Sequence, residues 1–143
     1  MKCRPVLIGL LVIAVTLGTA AAVPAQTPTR KVFEITAVTY KFEPSVIRVN
    51  EGDTVVIRLR NIDQRWPHDI ASRYFMDIPL TVRGDGREVI EEGRNYVRVT
   101  PGKSTEFEFV ATSRGSYAFI CAFFTHAIDG MTGQIFVQPA GSP

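Results

Sequence analysis

Short segments of apolar and polar alternation, each ended by a turn signal, leave this chain few folds to choose from. Residues 54–60 set Val55, Ile57 and Leu59 against Arg58 and Arg60, and residues 105–110 set Phe107 and Phe109 against Glu106 and Glu108. Successive side chains of a strand point to opposite faces, so each segment reads as a strand with one buried and one wet face. Residues 32–38, 46–49, 96–99, 117–121 and 133–137 read as strands too. Asn50-Glu51-Gly52-Asp53, Thr100-Pro101-Gly102-Lys103 and Ser113-Arg114-Gly115 are the turns between them. Roughly eight short strands at near-regular spacing, with no convincing helix and no internal repeat, predict an all-β sandwich or barrel. Residues 73–95 are the least legible. Their turn clusters, Arg83-Gly84-Asp85-Gly86-Arg87 and Glu91-Glu92-Gly93-Arg94-Asn95, predict an irregular excursion with at most a short helix or hairpin.

The first residues stand apart from this pattern. Lys2 and Arg4 precede an apolar run from Val6 to Leu17, and small residues follow through Ala25, the pattern of a secretory signal peptide. Cleavage after Ala22 or Ala25 satisfies the small-residue rule, and the second is preferred. An uncleaved anchor from Val6 to Val23 is the alternative, but it falls short of a comfortable span and is diluted by Gly9, Thr16, Gly18 and Thr19. Cys3 precedes the apolar run and is no lipid acceptor. The expected organisation is a signal peptide over 1–25, a mobile lead-in over 26–31, one domain over 32–138 and a tail over 139–143. The expected location is secreted or periplasmic, with no membrane insertion once the leader is gone. Without Lys2 and Arg4, 14 basic residues balance 14 acidic ones. The chain's basic character is thus partly a property of the leader and gives no argument for nucleic acid. One cysteine, Cys121, remains, and a lone thiol in an oxidising compartment asks for a reason.

That reason lies in residues 121–131. Cys121, His126 and Met131 set a thiol, an imidazole and a thioether five residues apart, and His68 is the only other histidine. Two His nitrogens and a Cys thiolate in a plane, with a Met sulfur as weak axial ligand, are what a mononuclear copper electron-transfer site uses. The set His68, Cys121, His126 and Met131 closes with no candidate left over. Each residue alone has a plainer reading: a buried core thiol, a gap-filling Met, an ordinary loop His. Met76, the other Met beyond the leader, is read as packing. Thiolate plus thioether selects one copper ion. Zinc avoids Met and would look to a carboxylate such as Asp129. A two-copper centre would need a second Cys, and Thr125 stands where it would fall.

The front half carries Phe42-x-Pro44-x-x-Ile47-x-Val49-x-x-Gly52-Asp53-x-Val55 and ends at Asn61. The back half carries Pro101-Gly102, Gly115-x-Tyr117-x-Phe119-x-Cys121 and Met131-x-Gly133. In this order the motifs resemble the cupredoxins, small blue copper proteins, over nearly the whole region after the leader. The Cys-x4-His-x4-Met spacing is similar to the loops of rusticyanins and auracyanins and longer than those of plastocyanins or amicyanins. The resemblance implies an eight-stranded Greek-key β-sandwich with a type 1 copper site at one end. It also implies His126 as the solvent-edge ligand through which an electron passes. Two positions depart from the pattern. Phe124-Thr125 stand where related loops commonly carry Pro-Gly, and Asp69 follows the first His where the family often has Asn. Neither is a ligand, but both lie where hydrogen bonds near the Cys sulfur tune a reduction potential.

The expected function is that of an exported electron carrier and not an enzyme, since no open coordination position for a substrate is apparent. Phe123, Phe124, Ala127 and Ile128 would form an apolar patch for brief contact with a redox partner such as a cytochrome or copper oxidase. The plainer reading turns both Phe rings inward. Arg58, Arg60, Arg65 and Arg73 either rim the site and steer an acidic partner or form a solvated strand face, and the second is preferred. A monomer is expected. One alternative is a copper-tolerance or copper-delivery protein, which the same ligands would serve. The other is an enzyme with Cys121 as nucleophile and His126 as base, which leaves Met131 unexplained and lacks a third orienting group.

Overall fold

A computed structural model describes residues 27–91 and 93–142. The leader expected over 1–25 lies outside the described residues, as does Pro143. The alternating segments are strands, packed as two sheets face to face. One sheet holds β1 (Arg30–Val38), β2 (Lys41–Glu43), β4 (Thr54–Asn61), β6 (Thr81–Gly84) and β9 (Ser104–Val110), in the order β2-β1-β4-β9-β6. The other holds β3 (Val46–Asn50), β5 (His68–Ser72), β7 (Gly86–Glu91), β8 (Arg94–Val99), β10 (Gly115–Ile120) and β11 (Thr132–Gln138), in the order β3-β11-β10-β5-β8-β7. β1 runs parallel to β4 and β3 parallel to β11. Parallel neighbours cannot be joined by a tight hairpin, so the chain crosses from sheet to sheet, as a Greek-key sandwich requires.

Eleven strands appear among the described residues where eight were expected. The additions β2, β6 and β7 all lie at sheet edges. β6 and β7 bury little on either face, so they carry none of the alternation that marks a half-buried strand. Residues 73–95 accordingly hold more order than their sequence suggests: a 3-10 turn, η1 (Arg73–Met76), then β6 on one sheet and β7 on the other. Gly86 makes the step between the two sheets possible, because a Cβ there would run into the Thr105 side chain. Gly133 is constrained in the same way at the start of β11, where a Cβ would meet the Phe119 ring and lie 2.5 Å from the Ser45 carbonyl oxygen.

The core is the apolar row of each alternating strand. Val55, Ile57, Leu59, Phe107 and Phe109 come from one sheet; Ile47, Val49, Ile70, Val97, Val99, Phe119 and Ile135 come from the other. The Phe42 and Phe119 rings meet between the sheets with centroids 5.2 Å apart. Phe75, carried in by η1, is fully buried and packs its ring against Phe107 at 5.9 Å and Phe109 at 5.3 Å.

The lead-in is tied to the domain. Asp53 accepts hydrogen bonds from the Thr29 amide at 3.1 Å and the Asn50 amide at 2.8 Å, and the Lys31 ammonium lies 3.1 Å away. Burial alone would raise its carboxyl, but those amides, Lys31 and the Thr29 hydroxyl outweigh it and hold Asp53 at about 2. A carboxyl whose folded pKa lies below its usual 3.8 stabilises the fold above that value and loses the contribution as pH falls through about 2. The effect is on the order of 2 kcal/mol. Asp53→Asn is thus expected to lower stability at neutral pH and to flatten its fall below about pH 4. Urea midpoints over a pH series would show this, and an unaltered acid limb would contradict it.

Candidate metal centre

Strand pairing brings the first His and the Cys together. β5 opens at His68, β10 ends one residue before Cys121, and the two strands pair with Ile120 opposite Ala71. His68 Nδ1 lies 3.8 Å and His126 Nδ1 3.4 Å from Cys121 Sγ, and the ligand atoms of the three residues all fall within 4.8 Å of one another. All three are buried, and so is Met131. The loop is closed on itself: the Cys121 amide donates to the Met131 carbonyl at 3.0 Å, and the Met131 amide to the His126 carbonyl at 2.9 Å. Met131 therefore sits in the same closed loop as the other two ligand candidates. Asp129 does not join them. It is exposed and accepts a hydrogen bond from the Thr125 hydroxyl at 2.8 Å.

The donor atoms suit a metal ion in spacing, and the His68 ring suits it in charge state as well. A first-row ion with nitrogen and sulfur donors at about 2.0–2.3 Å separates those donors by roughly 3.5–3.8 Å, close to the distances found. Burial, with His126 beside it, holds His68 below the usual histidine range, so the ring is the neutral imidazole that ligates metals. Burial, with the Asp69 carboxylate nearby, pushes the Cys121 thiol up to about 12. Without a cation the thiol stays protonated and shielded, which is the opposite of an activated nucleophile. A soft cation is what would hold it as thiolate.

Residues around these candidates fix their orientation. Asn61 at the end of β4 donates to the Trp66 carbonyl at 2.8 Å and the Thr100 carbonyl at 3.2 Å, and accepts from the Asp63 amide at 2.9 Å. Asp63 in turn accepts from the amides of Arg65 and Trp66, at 2.8 and 3.2 Å. Its other oxygen lies 3.5 Å from His68 Nε2, a buried nitrogen with no hydrogen-bond partner among the described residues. With Nδ1 turned to Cys121, the proton of His68 belongs on Nε2, facing the carboxylate. Behind Cys121, the buried Asp69 accepts from the Ala122 amide at 2.5 Å and from Arg98 at 2.7 and 3.0 Å. Sequence reasoning missed Asp63 and Arg98. Asp63 was hidden in a polar loop, whereas Arg98 left a signal, a lone charge inside the apolar strand Tyr96-Val97-Arg98-Val99.

The candidate patch divides. Phe124 is 77% exposed and Ile128 87% exposed, while Phe123 is half-buried with its ring 5.3 Å from His126. Tyr40 meets His126 edge-on at 5.3 Å, and Trp66 lies 6.3 Å from Phe124. His126 itself is 4% exposed beneath these rings. Phe124 adopts φ 47°, a left-handed conformation rare for an aromatic residue, at one of the positions where related loops carry Pro-Gly. The four arginines form no common rim. Arg58 is tied to Glu34 and Glu106, both at 2.9 Å, and with Arg60 it lines a groove on the outer sheet face. Arg73 lines a hollow with Asp77 and Tyr117. Arg65 stands over Trp66 at 5.8 Å.

A family model described as the cupredoxin-like domain matches residues 7–137. Among solved structures, auracyanin A, a "blue" copper protein from Chloroflexus aurantiacus, superposes with a TM-score of 0.56 at 17% identity, over 76% of this chain and 99% of its own. Reduced auracyanin from Roseiflexus castenholzii gives 0.58 at 19% identity, over 79% and 98%. A multi-copper oxidase from Pseudomonas thermotolerans gives 0.56 at 20% identity over 80% of this chain, but only 32% of the oxidase is covered. At these identities the structures share the fold.

Proposed function

Because the chain belongs to the cupredoxin-like domain family, we propose that His68, Cys121, His126 and Met131 hold one copper ion in a type 1 site and that the protein is an exported electron carrier. The observation that carries this reading is the buried meeting of two imidazole Nδ1 atoms and one thiol sulfur, closed by the loop that ends in Met131. Bound copper supplies a one-electron couple. The residues of this chain supply the rest. The sandwich fixes His68 at the start of β5 and Cys121 just past the end of the neighbouring β10, the loop hydrogen bonds fix His126 and Met131, and Asp63 faces the free side of the His68 ring. A rigid donor set of this kind changes little between oxidation states. Tyr40 and Phe123 screen His126 from water while leaving its edge close to the surface.

Phe124, Ile128, Tyr40 and Trp66 surround that edge with partly exposed apolar surface, suited to a small, short-lived interface with a redox partner. Phe124→Asp is expected to slow electron exchange with the partner about tenfold or more by placing a charge in that contact. Stopped-flow mixing would measure the rate, and the visible spectrum should stay unchanged. Unaltered kinetics would remove the patch from the account.

Copper delivery is the alternative use of the same ligands, and retention of the ion separates the two. The carrier is expected to keep its copper through repeated reduction in the presence of excess Cu(I) chelator. Rapid loss of Cu(I) would favour delivery. Export rests on the leader pattern over 1–25, and the mass of the form found outside the cytoplasm tests it. Cys121 as an enzymatic nucleophile is disfavoured by its burial and raised pKa.

A further inference from the structure

We propose that Asp69 and Arg98 form a charge-neutral clamp that positions the copper-binding loop through Ala122 and keeps the electrostatic balance at the metal, an inference that rests on the copper-site reading above. The two residues stand directly opposite each other on β5 and β8. Asp69 is fully buried, and its two oxygens divide the work. Oδ1 accepts from the Ala122 amide at 2.5 Å, while Oδ2 takes both Arg98 Nε at 3.0 Å and Nη2 at 2.7 Å. Ala122 immediately follows Cys121. One side-chain pair thus ties together β8, β5 and the loop leaving β10, three neighbours in the sheet, at the end that carries the ligands.

Arg98 is itself held. Its guanidinium lies 4.9 Å from the Tyr96 ring and 5.5 Å from the Phe123 ring, and its side chain is only 20% exposed. Phe123 in turn touches His126. An asparagine at position 69 could receive the Ala122 amide just as well, so the amide contact alone does not require a carboxylate. A carboxylate has only acceptors, and one buried beside the ligands needs a cation across from it. Arg98 meets that need with two donors to one oxygen, leaving the other free for the loop.

The charges also bear on the couple. At short range and in a poorly solvated setting, a net negative charge favours Cu(II) and a net positive charge favours Cu(I). The pair together adds no net charge. Separating its members should therefore shift the couple, and replacing both should restore it.

The test uses the copper-loaded and metal-free forms of the folded domain. Asp69→Asn leaves Arg98 uncompensated and is expected to move the Cu(I)/Cu(II) equilibrium at least tenfold toward Cu(I), about 59 mV for a one-electron couple. D69N/R98Q, a neutral amide pair, should return it to within about threefold of wild type. In the metal-free form, Arg98→Gln breaks the buried pair and should lower the thermal midpoint by about 10 °C or more, with D69N/R98Q recovering at least half of that loss. If D69N leaves the couple unmoved, or the double variant shifts as far as D69N in the same direction, the charge-balance claim fails. If R98Q melts with wild type, the clamp fails. A wild-type domain that lacks an intense thiolate-to-copper band would instead refute the copper-site reading, while the metal-free melting series would still decide the clamp.

Discussion

Cys121→Ser is expected to abolish the intense visible band of the copper-loaded protein and to weaken copper binding by more than about 100-fold. The band requires a thiolate, and Cys121 is the single free cysteine among the described residues. A serine hydroxyl is a hard and weakly acidic donor that does not replace it. His68 and His126 would still offer two imidazoles, so Cu(II) would remain weakly bound with a pale spectrum. The fold should persist, because Cys and Ser differ little in volume, although a buried hydroxyl without a partner costs about 1–3 kcal/mol. Titration with Cu(II) followed by visible absorption checks the effect, with Cys121→Ala as a second variant free of the hydroxyl. Persistence of the band in either variant would remove Cys121 from the site.

Phe75→Ala is expected to cost about 3–5 kcal/mol, a large share of the margin of a domain this size. Phe75 is fully buried and touches Phe107 and Phe109 across the sandwich, so its removal leaves a cavity that rigid sheets cannot collapse to fill. Two neighbours keep η1 itself in place. Tyr74 stacks on Tyr117 at 4.1 Å, and the Ser72 hydroxyl caps the turn by accepting from the Tyr74 amide. The loss should therefore appear as a lower urea midpoint with little change in the copper spectrum. A change below about 1 kcal/mol would mean that the segment is not part of the core.

That segment also shows what the sequence could and could not reveal. Half-buried strands were legible because their burial writes a period of two into the chain: Val55, Ile57 and Leu59 face inward while Arg58 and Arg60 face out. β6 and β7 bury little on either face and lie at sheet edges. Backbone pairing holds them, which any sequence can supply, so no period marked them. Phe75 carries no local signal of its burial, because its partners Phe107 and Phe109 are about thirty residues away in the chain.

At the candidate site, His68, Cys121 and His126 were legible because they are the only His and Cys beyond the leader, and the structure brings them together. Met131 followed from its place in the loop. The pairing of the supporting residues was not legible, for a physical reason. Asp63 faces His68 across a loop folded by Asn61, and Arg98 meets Asp69 only after β8 pairs with β5. Both relations are products of tertiary pairing, and neither Asp nor Arg announces its partner locally. The lead-in is a further case. Residues 26–31 looked mobile from Thr-Pro-Thr-Arg-Lys, yet β1 begins at Arg30 and Thr29 bonds to Asp53.

The most direct test of the central claim is the visible absorption of the purified domain after addition of Cu(II), recorded before and after ascorbate. The account predicts an intense thiolate-to-copper band at about 600 nm that bleaches on reduction and returns on oxidation. A folded, copper-loaded domain without that band would contradict it.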